Sequence, residues 1–173
     1  ETKEEKKTTK KGKRGDLGSL PEYSSNEIAE MVENDRDVAL MIDECERALG
    51  KIFRVGETAK ILALRDYLGF SPDYIATLCE YCAGIGKTSV RYLETTAIAL
   101  YDDGITDKAA LEEHLDAVKA KHELEGQIRT LFGMGMSRAL TTKEKRFIDS
   151  WIGSFGYGIE VIKLAYEITV DKI

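Results

Sequence analysis

Three groups of residues have types and spacing that chemistry uses. Cys79-Glu-Tyr-Cys82 has the two-residue gap of a metal or redox pair. It falls inside a helical stretch with no second pair, so buried small hydrophobes are the expectation for Cys45, Cys79 and Cys82. His114 and His122 are the remaining conceivable ligands. The first stands beside acidic residues and reads as solvated, and the second lies near the apolar side of its helix. Gly86-Lys87-Thr88-Ser89 looks like the end of a phosphate-binding loop, but that motif needs a glycine where Tyr81 stands and a strand before it. Glu112 and Glu113 are adjacent and point to different helix faces, and no serine, histidine and acid constellation is present. The expectation is therefore a protein with no catalytic site, no metal and no cofactor.

The elements that must position these residues are helices. Glu57 to Tyr101 organises the chain as three of them. The first carries Ile61, Leu64 and Leu68 at i, i+3 and i+7 and stops at Gly69, suited to a left-handed C-cap. The second opens with Ser71 as N-cap, Pro72 at N1 and Asp73 in the first turn. It carries Ile75, Leu78, Cys79 and Cys82 on one face, with Tyr74 beside them. The third runs from about Ser89 to Asp103 and is closed by Gly104. Upstream, Ser24 to Glu27 is a capping box opening a helix with Ile28, Met31 and Val32. Another runs from about Asp35 to Leu49 and ends at Gly50. Downstream, Thr106 is the expected cap of a helix reaching Phe132. At 1.5 Å per residue it spans roughly 40 Å, enough to connect two subdomains.

At 173 residues and 43% hydrophobic, the chain has room for one or two modest cores. Two prolines and many Ala, Glu, Lys and Leu at helical spacing predict an all-α protein of small helical bundles. No apolar run approaches the roughly 20 residues of a spanning helix, and three cysteines fit a reducing cytoplasm, so no membrane partner is expected. The chain opens at Glu1 in a polar tract, as expected of a piece of a longer protein. Residues 1 to 14 hold seven basic and three acidic side chains, net +4, which leaves −10 for the rest of a chain whose total is −6. So acidic a body does not hold a phosphate backbone by bulk attraction. Any DNA contact must be local or lie in the tail, which otherwise reads as a solvated linker.

The organising stretch returns at a constant offset of 87. Glu57, Ile61, Gly69, Ile75 and Glu80 match Glu144, Ile148, Gly156, Ile162 and Glu167, while Leu64, Leu68 and Phe70 pair with Trp151, Phe155 and Tyr157. The register is ungapped, as in repeated supersecondary units. Thr141 and Glu144 make a capping box in the second copy, whereas Arg54 offers no cap in the first. Ile173 aligns with Gly86, ahead of any counterpart of the helix from Ser89, so the second copy is expected to lack a cover.

Several runs resemble the DnaD-like domain family of replication-initiation and phage replication proteins from low-GC Gram-positive bacteria. They are Leu20-Pro-Glu-Tyr-Ser24, Cys45-Glu-Arg-Ala-Leu-Gly-Lys51, Tyr67-Leu-Gly-Phe-Ser-Pro72, Ser89-Val-Arg-Tyr92, Ala139-Leu-Thr-Thr-Lys-Glu144 and Ala165-Tyr-Glu-Ile-Thr169. The resemblance covers roughly Leu17 to Ile173. It implies helical bundles that bind DNA weakly, oligomerise and help recruit the replicative helicase or its loader. The family's Tyr-x-x-x-Ile-x-x-x-Trp helix, linked to DNA contact, falls on Tyr92, Thr96 and Leu100, of which only the tyrosine is kept. Lys87 and Arg91 lie just before and beside Tyr92, a combination of cations with an aromatic stacking surface. The other reading of Tyr92, Thr96 and Leu100 is that they pack their helix onto its neighbours.

The expected organisation is a basic tail over 1–20, a DnaD-like first repeat over 21–105, a connecting helix over 106–133 and a partial second repeat over 134–173. The expected function is a non-enzymatic replication-initiation accessory protein with weak, non-specific DNA contact and a scaffolding role in primosome assembly and helicase loading. The alternative is a homo-oligomeric interaction scaffold that does not touch DNA.

Overall fold

Among the described residues, capping chemistry delimits eight α-helices. The computed structural model describes residues 23–135 and 137–170. The expectations for the basic tail, and for Leu20, lie outside that range. The helices are α1 (Ser25–Asn34), α2 (Arg36–Leu49), α3 (Val55–Asp66), α4 (Pro72–Gly84), α5 (Val90–Asp102), α6 (Lys108–Leu131), α7 (Thr142–Asp149) and α8 (Ile159–Val170). A π-helical turn, Ser150–Ser154, follows α7. Among the described residues there is no strand, so the all-α expectation holds. Two compact units divide between Glu112 and Glu113, inside α6.

In the first unit the caps form as their residue types dictate. Ser24 N donates to Glu27 Oε2 at 2.8 Å and Glu27 N to Ser24 Oγ at 3.3 Å. Asp35 Oδ1 receives the amides of Asp37 and Val38, and Ser71 Oγ that of Tyr74. Gly50 and Gly69 close α2 and α3 at φ 66° and 73°, a conformation that carries little strain only without a Cβ. The most extensive helix contact is α2 on α4. There Val38, Met41 and Cys45 of α2 and Ile75, Leu78, Cys79 and Cys82 of α4 are all buried. Each such side chain stabilises by about 1.5–3 kcal/mol relative to exposure. Helix α5 lies against α3 and α4, burying Val90, Leu93 and Ala97. Phe70 stacks on Tyr74 at 4.1 Å and meets Tyr101 of α5 edge-on at 6.1 Å. The Tyr74 hydroxyl donates to Ile105 O at 2.8 Å, so this buried ring keeps its polar end satisfied.

The second unit is leaner. Ile128, Ile148 and Ile162 are its buried centre, with Leu124, Phe132, Leu140 and Trp151 packed around them. Its local geometry matches the first unit at the offset of 87. Glu57 Oε2 accepts from Arg54 N at 3.1 Å, and Glu144 Oε2 from Thr141 N at 2.8 Å. Each glutamate also holds a cation six residues upstream, Lys51 at 2.6 Å and Arg138 at 2.8 Å. Phe70 N donates to Leu64 O and Tyr157 N to Trp151 O, each across a left-handed glycine, Gly69 or Gly156. Cys45 neighbours Cys79, and at the matching places Phe132 meets Tyr166 at 4.9 Å. In the second unit Ile128 of α6 shares a buried cluster with Ile162 of α8. The units differ where the π-helical turn replaces the end of α3, and where Leu68 is buried but Phe155 is 60% exposed.

One local expectation holds with an added detail, and two need correction. Arg54 supplies no side-chain cap, yet its own amide is capped by Glu57, so the first copy keeps the glutamate half of the box. Asp107, not Thr106, caps α6: its Oδ1 accepts from Ala110 N at 2.9 Å, because a carboxylate one residue later reaches the third amide of the helix. His114 is half-buried and His122 exposed, the reverse of their expected placing.

Candidate nucleic-acid interface

The turn from α4 into α5 gathers the cations and rings singled out in the sequence. Helix α4 ends as Gly86 takes φ 73°, and Lys87 N donates back to Cys82 O at 2.8 Å. That reversal throws the Lys87 side chain into solvent, one turn ahead of Arg91, which is also exposed. Ser89 Oγ caps α5 by accepting from Tyr92 N at 3.1 Å. The first turn of α5 holds no acidic residue, so the partial positive charge of its free amides is uncompensated. Among the described residues neither Lys87 nor Arg91 is in an ion pair. Lys51, Lys60 and Arg65 of the same unit are instead held by Glu57, Glu94 and Asp35.

Tyr92 is 38% exposed. Near it lies Tyr81 of α4, whose hydroxyl is pushed up first by burial and then by Tyr92 and Cys82. Sequence reasoning missed Tyr81 as a neighbour of this surface; the available signal was its place off the Ile75, Leu78 and Cys82 stripe. Ile85, 45% exposed, adds an apolar side chain to the same turn.

The remaining two residues of the expected site lie elsewhere. Thr96 is half-buried, and its Oγ1 donates to Tyr92 O at 2.9 Å. Leu100 is 5% exposed and belongs to the core with Leu93 and Ala97. Each step of four residues rotates a helix position by about 40° beyond a full turn. Tyr92, Thr96 and Leu100 therefore pass from solvent to rim to interior, which removes Leu100 from any contact surface. The accessible constellation is Lys87, Arg91 and Tyr92.

No competing chemistry emerges from the thiols. Cys79 is pushed far up, first by its hydrogen bond with Cys45 and then by burial, and burial raises Cys82 to about 11. All three are free and buried, and Cys79 and Cys82 stay protonated at neutral pH. Among the described residues no group of three His, Cys, Asp or Glu is placed to hold a metal ion.

An all-helical unit with a cationic, aromatic turn is the class defined by this fold and surface. Residues 42–115, less than half of the chain, match the family described as replication initiation and membrane attachment. The match runs from within α2 through α5 into α6, so it contains the whole α4–α5 turn. It points to replication initiation in general. Among the described residues no helix is long and apolar enough to cross a membrane. Neither a curated protein nor a solved structure matches the chain.

Proposed function

We propose that this chain is a replication-initiation accessory protein that binds DNA weakly and non-specifically through Lys87, Arg91 and Tyr92. The observation that carries the reading is the pair of cations with no ion pair among the described residues, beside an exposed tyrosine at a helix N-terminus free of acidic residues, within the segment that matches the replication-initiation family. The cations and amides suit a backbone phosphate, and the ring offers a stacking surface to an unpaired base. The basic tract of residues 1–14 adds a second electrostatic arm. The protein works in the cytoplasm without catalysis, metal or cofactor. Its helical body is two copies of one unit, the second incomplete, linked in sequence by α6. This body serves as a homo-oligomeric scaffold for the helicase or its loader during primosome assembly. Matching glutamate caps and left-handed glycines 87 residues apart support the duplication.

The runner-up is an interaction scaffold with no direct DNA contact, favoured by the apolar side chains the second unit leaves exposed. Titrating labelled single- and double-stranded DNA with the chain, with and without residues 1–14, separates the two. Binding that persists without the tail and falls on Tyr92→Ala supports DNA contact at α5. Binding that vanishes with the tail and ignores Tyr92→Ala leaves the scaffold reading.

A further inference from the structure

Helix α7 packs through Ile148, which belongs to the buried centre of the second unit. The helical period puts Lys143, Arg146 and Phe147, at i, i+3 and i+4, together on the face turned away from Ile148. All three are exposed. The carboxylates of the helix do not cancel the two cations, because each is held by a cation from outside it. Glu144 Oε1 lies 2.8 Å from Arg138 Nη2, and Asp149 Oδ1 lies 2.8 Å from Lys121 Nζ. Lys145, the third cation of α7, lies toward Asp149 and adds to the lowering of its carboxyl, which the hydrogen bond from Lys121 dominates. Among the described residues Lys143 and Arg146 are in no ion pair. An acidic chain holds a polyanion only through such a local cationic face.

Phe147 is 60% exposed, yet its ring is held in place. It stacks on Trp151 at 6.3 Å and 26°, and Trp151 stacks on Phe132 at 6.0 Å and 21°. This series of rings leads from half-buried Phe132 out to solvent, so the outermost ring is pre-organised and loses little freedom when a flat group lies on it. An exposed, fixed ring beside two cations has the parts of a single-strand contact. The cations suit phosphates, and the ring suits an unstacked base. A duplex keeps its base faces in the stack and can use the cations alone. We propose that the outer face of α7 is a second contact for single-stranded DNA, with Lys143 and Arg146 on phosphates and Phe147 against a base. The inference rests on the DNA-binding reading for its ligand class alone. Its residues are different, and it does not depend on the correspondence of the two units.

The test titrates a fluorescent oligothymidylate, and a duplex of the same length, with the full chain and its variants over a range of salt. On a single strand each phosphate neutralised contributes about 0.7 to the slope of log K against log salt, so Lys143→Ala with Arg146→Ala should lower the slope by about 1.4. Phe147→Leu should weaken single-strand binding about tenfold and leave duplex binding unchanged, while Phe147→Tyr, which keeps a ring, should bind as the native chain does. The double variant removes no buried group, so its slope decides the matter whatever the Phe147 variants do to the fold. Repeating the series in a Lys87→Ala, Arg91→Ala chain separates the two contacts. A loss at α7 that appears there too assigns α7 its own contact, and one that disappears there overturns the proposal. An unchanged slope and affinity in the α7 double variant also overturns it, as does equal weakening by Phe147→Tyr and Phe147→Leu. Vesicles of phosphatidylglycerol and phosphatidylcholine provide the last arm. Vesicle binding that these substitutions abolish, with the oligonucleotide unaffected, overturns the proposal and assigns the face to an anionic membrane.

Discussion

Tyr92 and Leu100 stand eight residues apart on α5, and the helical period places one in solvent and the other in the core. Two variants separate these roles. Leu100→Ala should cost about 2–5 kcal/mol of stability, read as a lower denaturant midpoint, because it leaves a cavity among Leu93, Ala97 and their neighbours. Tyr92→Ala should leave that midpoint unchanged while weakening single-stranded DNA binding by about 1–3 kcal/mol. Glu144 makes a pH-dependent prediction. The Arg138 guanidinium, followed by the Thr141 amide and hydroxyl, pulls its carboxyl from the ordinary 4.5 down to about 2. A depressed carboxylate stabilises the folded form above its unfolded pKa and loses that contribution as pH falls through the folded one. The start of α7 should therefore loosen between about pH 4.5 and 2, seen as faster exchange of the Glu144 amide. Arg138→Ala should move the Glu144 titration, followed by NMR, back toward the ordinary value. The exposure of Lys87, Arg91 and Tyr92 was legible at this scale because all three fall within six residues at a helix start. Tyr81 was not, since its approach to Tyr92 depends on how α4 reverses into α5 at Gly86.

Helix ends were the most legible features of the chain, because each depends on a few adjacent residues. Ser24 with Glu27, Ser71 with Pro72, and Thr141 with Glu144 form the caps their types predict. Gly50, Gly69, Gly104 and Gly156 all take positive φ. Where two neighbouring cap formers compete, local pattern does not decide, and Asp107 displaces Thr106 as the cap of α6. Asp107→Ala should cost about 0.5–2 kcal/mol in equilibrium unfolding, while Thr106→Ala costs only a few tenths. The π-helical turn at Ser150–Ser154 has no sequence signal, since accommodating one extra residue in a turn is an outcome of how Trp151 and Ile152 pack. The capping role of Glu57 was legible only by comparison with Glu144, because Arg54 carries no capping side chain of its own.

At the scale of the whole chain, the offset of 87 sets Gly69 against Gly156 and Glu57 against Glu144, and these residues have like backbone geometry and like caps. At the same offset Met41 and Cys45 pair with Ile128 and Phe132 in sequence, so α2 and the end of α6 share no identity at these places. Burial is lopsided, with three fully buried centres in the cluster of the second unit against the long buried stripes of α2, α3 and α4. The second unit should therefore open first. Amide exchange should give α8 lower protection than α4, and Trp151 emission should report an unfolding transition at lower denaturant than the loss of far-ultraviolet helicity in the first unit.

DNA contact at the α4–α5 turn is the centre of this account, and its most direct test is the salt dependence of binding to duplex DNA. Each phosphate neutralised contributes about 0.9 to the slope of log K against log salt. Replacing both Lys87 and Arg91 by alanine should lower the slope by about 2 and weaken binding without changing the unfolding midpoint. An unchanged slope and affinity in the double variant would contradict the account.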